Sequence, residues 1–216
     1  MFDVVTIARE YGSGGSDIGR QVAKTLGWEL LDRQIIERVA AVGKVDRAWA
    51  AEADEQSRGW WEKILSGFRY GGPALYLGGA GDMGVNRDSL QEFTAHVIQE
   101  AGKIGNCVII GRSSECVLRN EARALHVMVY APLEEKLERM KQRHPHEHDL
   151  RGLLRRIDAE RLRYAQDYFG CDSRDRELYH LCVNSALGID ICAELIVRAI
   201  HSSANGQRSV NRKAFG

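Results

Sequence analysis

No stretch of this 216-residue chain approaches the ~20 consecutive apolar residues that a helix needs to cross a bilayer, so a helical membrane span is not expected. Net charge is missing as well. Thirty lysines and arginines balance thirty aspartates and glutamates, and no overall basic field exists to draw the chain to a nucleic-acid polymer or an anionic membrane. Any anion binding must be local. The five cysteines, Cys107, Cys116, Cys171, Cys182 and Cys192, are odd in number and contain no CxxC pair. That pattern argues against a zinc clip or a disulfide framework and predicts reduced, mostly buried thiols. The opening MFDVVTIA is too short an apolar run for a secretory signal, and the expected location is the cytoplasm. There is no internal repeat. Nor is there a second set of strands that could build another core, and ~250 residues is the length at which single domains begin to split.

What the chain does contain is an alternation of short apolar runs with helix-like sequence. VVTIA (Val4 to Ala8), NCVIIG (Asn106 to Gly111) and LHVMVYA (Leu125 to Ala131) are rich in β-branched residues, and YHLCVN (Tyr179 to Asn184) is a weaker fourth. Each precedes a helical pattern, the mark of a parallel sheet covered on both faces; the predicted class is α/β, three layers with a mainly parallel sheet. RDSLQEFTAHVIQEAGKIG places Leu90, Phe93, Val97, Ile98 and Ala101 on one stripe, with Gly102 and Gly105 read as its end. PLEEKLERMKQRH has proline at a helix start, acids early and bases late. DLRGLLRRIDAERLRYAQDYFG reads as a further helix. Residues from about 42 to 85 carry every tryptophan but Trp28 and two glycine clusters, which suggests a helical excursion followed by a loop. The polar segment from Ser202 onward reads as a frayed tail, so that one domain spans residues 1–203.

The stretch Val4 to Gly27 has the order strand, glycine-rich turn, helix. Glycines at 12, 14, 15 and 19 let the backbone curl with positive φ and point amides inward, and a helix starting near Ser16 adds its own unpaired amides. Such a turn cradles phosphate, although a ligand-free β-to-α turn uses glycine in the same way. The pattern G-x-x-x-x-G-K-[ST] is not met: GGSDIGRQ from Gly14 has the spacing, with Arg20 for lysine and Gln21 for the hydroxyl residue. Arg9, at the strand end, and Arg20, one turn into the helix, are local sources of charge, since a guanidinium can meet phosphate as a planar fork. Arg112 follows directly on an apolar strand, at the sheet edge where ligands of open α/β folds collect. The histidines of the segment KQRHPHEHDLRG, His144, His146 and His148, read as a solvated loop rather than a metal site. Tyr164, Tyr168 and Phe169 read as packing.

Taken in order, TIAREYGSGGSDIGRQVAKTLGWELLDRQIIERVA, VIIGRSSECVLR, LHVMVYAPLEEKLERM, DAERLRYAQDYFG and YHLCVNSALGIDICAELI resemble the cytidylate kinase-like proteins, relatives of bacterial cytidylate kinase among the P-loop nucleoside monophosphate kinases. The resemblance runs over nearly all of residues 3–200. It implies ATP as phosphate donor with Mg2+, and a CMP-like acceptor. Gly12, Ser13, Gly14, Gly15, Ser16, Asp17 and Gly19 would hold the donor's phosphates. Asp32, Arg38 and Arg112 would face the acceptor. A lid over about 143–165, hinged in the histidine loop, would bring Arg155, Arg156, Asp158, Arg161 and Arg163 to the moving phosphoryl group; of these Arg156, Arg161 and Arg163 join Arg9 and Arg20 as catalytic candidates. Read without the family, the lid charges could equally be solvated intrahelical pairs.

Three departures from cytidylate kinase stand out. The loop lysine is missing; Ile110 and Ser113 replace the acids on either side of the glycine-arginine pair; and Ser16 stands where relatives often have a basic residue. Three readings follow: a monophosphate kinase, a nucleotide-binding sensor with little turnover, and a kinase for another small metabolite. The aromatic insertion is suited either to docking a second copy in a homodimer or to covering the acceptor.

Overall fold

The computed structural model describes residues 1–32, Gly59, Ile64 and 87–213. Five strands form one sheet: β1 (Val4–Arg9), β2 (Glu29–Leu31), β3 (Cys107–Ile110), β4 (Ala124–Tyr130) and β5 (Leu181–Asn184). Their order is β2-β3-β1-β4-β5 and every pairing is parallel, as the runs of apolar β-branched residues predict. The helices among the described residues include α1 (Gly15–Leu26), α2 (Arg87–Ile104), α3 (Ser114–Val117), α4 (Leu133–Arg143), α5 (Leu150–Phe169) and α6 (Ile189–Lys213).

Successive side chains of a strand point to opposite faces, and each face builds its own core. On one side Val4, Leu31, Cys107 and Ile109 pack with Phe93, Val97, Ile98 and Ala101 of α2 and with Ile64. On the other, Val5, Ile7, Val108, Ile110, Val127 and Val129 meet Ile18 and Val22 of α1 and Cys192, Ile196 and Ile200 of α6. The strand β1 lies at the centre with β3 and β4 on either side. Its carboxyl end is therefore the point where chain connections diverge, and where open α/β sheets leave a crevice.

Several boundaries differ from the sequence reading. The three-residue β2 is too short to announce itself by periodicity. Gly102 does not end α2 but sits inside it, where a Cβ would lie 2.8 Å from Leu118 Cδ2; its role is close approach between α2 and the turn after α3. Gly105, with φ +76, ends that helix. The backbone of α6 stays helical to Lys213, past the Ser202 boundary expected for the tail. The cysteines need a correction: Cys116 and Cys171 form a disulfide, Cα–Cα 6.1 Å, across 55 residues of sequence. The fold brings α3 against the segment just after α5, a juxtaposition that linear spacing cannot reveal. Cys107 and Cys192 are free and buried, and Cys182 is free and exposed. Among the described residues no helix is long and apolar enough to cross a membrane. Arg38 and nearly all of the 42–85 insertion lie outside the described residues.

Candidate active site

The glycine turn occupies Glu10 to Gly14 and delivers the chain into α1. Gly12 has φ +80, and Gly14, the residue before the helix, has φ +78. Both lie in the left-handed region that glycine adopts without penalty. Buried Ser13 donates its hydroxyl to the Glu10 carbonyl at 2.8 Å, which tightens the turn. The first residue of α1 is Gly15, one position earlier than expected. A Cβ there would lie 2.6 Å from Arg9 Cβ. The stem of Arg9 thus fills the space that a side chain at the helix start would need.

From there Arg9 reaches across to β3, where an added Cβ on Gly111 would fall 1.6 Å from its Nη1. The strand β3 ends in three consecutive left-handed residues, Gly111 at φ +75, Arg112 at +56 and Ser113 at +52. For Arg112 and Ser113 this backbone costs on the order of 1–2 kcal/mol each, and strain of this kind collects at working sites. The turn sets Arg112 and buried Glu115 into the wall of a cavity of about 590 Å³ at the carboxyl edge of the sheet. Arg9, Tyr11, Asp158, Arg161, Tyr164 and Tyr179 complete the part of the lining that matters here.

The helix α5 forms the cavity's roof, started by Asp149, which accepts from Gly152 N–H at 2.8 Å, and stopped by left-handed Gly170. Arg161 donates from Nη1 to the carbonyl of Arg9 at 2.7 Å and lies over the Tyr11 ring, 5.4 Å from its centroid. Tyr11 N–H donates to Asp158 Oδ1 at 2.7 Å. Burial pushes the Asp158 carboxyl up, against the pull of that hydrogen bond and of Arg161. The Tyr164 hydroxyl donates to Gln91 Oε1; burial raises its phenol while Arg112 draws it down. Tyr164 also packs against Tyr168 and Phe169, so the packing role expected for these three is present alongside a place in the cavity wall.

The predicted residues thus divide. Arg9, Arg112 and Arg161 converge on the cavity. Arg20 instead pairs with Asp17 at 2.6 Å on the surface, the two side chains 52% and 38% exposed, and Arg143 takes the other Asp17 oxygen at 2.9 Å. Arg156 and Arg163 are exposed on α5 and do not line the cavity. Asp32 is half-buried just past β2. Gly12, Ser13, Gly14, Gly15 and Gly19 are buried and Ser16 is half-buried.

Helices α4 and α5 cover the turn. A Cβ on Gly12 would meet Leu154 Cδ2 and Lys136 Cβ, each at 3.2 Å, and one on Gly14 would meet Ile189 Cδ1 at 2.8 Å. Sequence reasoning passed over two cations here. Lys136 of α4 bonds Glu10 Oε2 at 2.8 Å, and Arg139 bonds Ser185 Oγ at 3.0 Å and the Gly12 carbonyl at 3.4 Å. The legible signal was their placement on the helix that follows β4. The expected hinge is the linker between α4 and α5, where His144 Nε2 and the Tyr11 hydroxyl share a hydrogen bond of 2.8 Å, while His146 and His148 are exposed. Among the described residues no group of three or more histidine, cysteine or acidic side chains is placed to hold a metal.

A model of the cytidylate kinase-like family matches residues 4–187. The chain belongs to that family. Among solved structures, an uncharacterized protein from Eubacterium ventriosum superposes with a TM-score of 0.66 at 16% identity, covering 94% of this chain and 99% of its own. Shikimate kinase from Acinetobacter baumannii, in complex with shikimate, gives 0.51 at 18% identity over 94% and 95%. The Bacteroides thetaiotaomicron shikimate kinase gives 0.50 at 10% identity over 92% and 98%. At such identities these likenesses establish the P-loop kinase fold alone. No curated protein matches the sequence. As a cytidylate kinase-like protein the chain has a kinase-type architecture.

Proposed function

We propose that this cytidylate kinase-like protein transfers the terminal phosphoryl group of ATP to a small anionic acceptor, a nucleoside monophosphate of the CMP type before others. The observation that carries this is the meeting of Arg9, Arg112 and Arg161, from three distant parts of the chain, in one cavity at the carboxyl edge of the sheet. Phosphoryl transfer asks for in-line positioning and for positive charge around the moving group. Three guanidinium forks supply that charge in bidentate form. The acceptor oxygen bonds to the terminal phosphorus as the bond to the bridging oxygen breaks, and ADP leaves.

The glycine turn would hold the donor phosphates, with the Lys136 ammonium from α4 as the cation beside a loop that has no lysine. Because α4 and α5 close over the turn, the nucleotide enters only when they lift, and their return excludes water. Among the described residues no side-chain cluster forms a resident magnesium site, and both Asp17 oxygens are taken by arginines. The ion fits as the companion of the incoming triphosphate, since magnesium commonly keeps its waters and phosphate ligands.

The test is a substrate panel. Purified protein with magnesium and ATP, given each monophosphate and shikimate in turn, should release ADP with at least one acceptor above the ATP-only rate. Thermal stabilisation by ATP with no product from any acceptor would replace this with the second reading, a nucleotide-binding sensor, which the lysine-free turn favours.

A further inference from the structure

Glu115 has no part in the reading above, yet it is the most unusual group in the cavity. It is 3% exposed, on the one-turn helix α3 that follows the strained Gly111–Ser113 turn. Its Oε2 has no hydrogen-bond partner among the described residues. Cys116 Sγ lies 4.0 Å from Oε1, but a disulfide sulfur has no proton to offer. The neighbouring Ser114 Oγ is likewise buried without a partner. Burial pushes the Glu115 carboxyl up, while its own backbone N–H and the Arg9 guanidinium in the cavity draw it down; burial also raises the Tyr179 phenol, and Glu115 adds to that. A buried carboxylate oxygen left open is expensive. Such a group calls for an explanation, and a functional role in the cavity it lines is one.

We infer that Glu115 is a specificity-determining residue of the acceptor cavity, its open carboxylate oxygen accepting a hydrogen bond from an N–H or O–H group of the acceptor whose anionic end the arginines hold. The substrate class is thereby narrowed to small anions that also carry an amino or hydroxyl donor. A site built around such a bond rejects an analogue that lacks the donor, because the carboxylate is then buried unpaired. This inference rests on the kinase reading.

The test uses the full chain as wild type, Glu115→Gln and Glu115→Leu. Without ligand, both variants should melt no lower than wild type, because each replaces a buried carboxyl that the fold leaves partly unpaired. A fall of more than 5 °C in both would make Glu115 a structural counter-ion of Arg9 and overturn the inference. Titration calorimetry with CMP and UMP then separates the donors: a preference for CMP points to the amino group of its base, a preference for UMP to its ring N3–H, and equal affinities to a ribose hydroxyl. With whichever acceptor wild type binds, Glu115→Leu should weaken binding at least tenfold, and affinity for a non-hydrolysable ATP analogue should stay within twofold. Unchanged acceptor affinity refutes the role of Glu115 alone. Wild type that binds ATP but no acceptor refutes the kinase reading, and this inference with it.

Discussion

Gly111→Ala separates a role for Arg9 in the reaction from a role in packing. The added methyl would lie 1.6 Å from Arg9 Nη1 and 2.6 Å from its Cζ. Ordinary contact requires ~3.5 Å, so the guanidinium must withdraw by about 2 Å. Two effects follow with different sizes. Alanine at φ +75 costs on the order of 1–2 kcal/mol of backbone strain, which for a chain of this length lowers the melting temperature by roughly 2–8 °C. A misplacement of even ~1 Å at a positioning group can cost ~100-fold in rate, so kcat should fall by about two orders of magnitude. Calorimetric melting measures the first, and ADP release in a coupled assay measures the second. The double variant Arg9→Ala with Gly111→Ala should be no slower than Arg9→Ala, because the methyl then has nothing to displace. If Gly111→Ala melts lower yet keeps more than half of wild-type kcat, Arg9 does not act at the reacting group and the proposed site is wrong.

Arg112→Ala should raise the acceptor KM by ~10- to 100-fold with the ATP KM unchanged, the size of a lost ion-assisted hydrogen bond, whereas exposed Arg163→Ala should change neither by more than about twofold; equal effects from the two would remove Arg112 from the acceptor site. Reducing the Cys116–Cys171 disulfide, which closes 55 residues, should lower stability by roughly 4 kcal/mol on loop entropy, and identical melting with and without a thiol reductant would argue that the bond does not constrain the unfolded chain. His126, whose Nδ1 is 2.7 Å from the Thr6 hydroxyl and whose ring stacks on His180, has its pKa pushed down to about 4 by burial, with His180 adding to the effect. Below the ordinary histidine range the unfolded chain takes up that proton first, so stability present above pH ~6.5 should decline by up to about 3 kcal/mol as pH falls towards 4. Urea titrations of wild type and His126→Asn across that window check this; parallel curves would refute it.

The sheet was legible because its strands are buried on both faces. Val4 to Ala8 and Asn106 to Ile110 are nearly continuous apolar runs, and a helix segment of that kind would be longer. The third run, Leu125 to Tyr130, hides His126 among apolar neighbours, yet its β-branched pattern suffices. The three residues of β2 gave no such signal, since a strand that short is defined by pairing with β3 rather than by its own sequence. In the site, Arg9, Arg112 and Arg161 could be nominated from strand ends and family pattern. Sequence could not tell Arg161 from Arg163, two positions apart on α5. Helical phase turns one towards the Arg9 carbonyl and leaves the other exposed. Glu115 and Lys136 escaped notice because each looks like an ordinary helical charge until the tertiary fold buries the first and sets the second beside Gly12. The disulfide is a purely tertiary fact.

Two of the glycines, Gly15 and Gly111, have one structural cause. Any side chain at the helix start would have to occupy the space over Gly15, and that space holds the stem of Arg9, 2.6 Å from where the Cβ would begin. The Arg9 side chain starts beside the glycine turn and ends against Gly111, while its own carbonyl holds α5 through Arg161. One residue therefore links the glycine turn, the carboxyl edge of β3 and α5. On the proposed reading the cation beside the donor phosphates is Lys136, which belongs to α4 and not to the turn. In such an arrangement the charge around the phosphates is complete only when α4 and α5 are closed, and phosphoryl transfer becomes conditional on closure in a way that a loop lysine would not require.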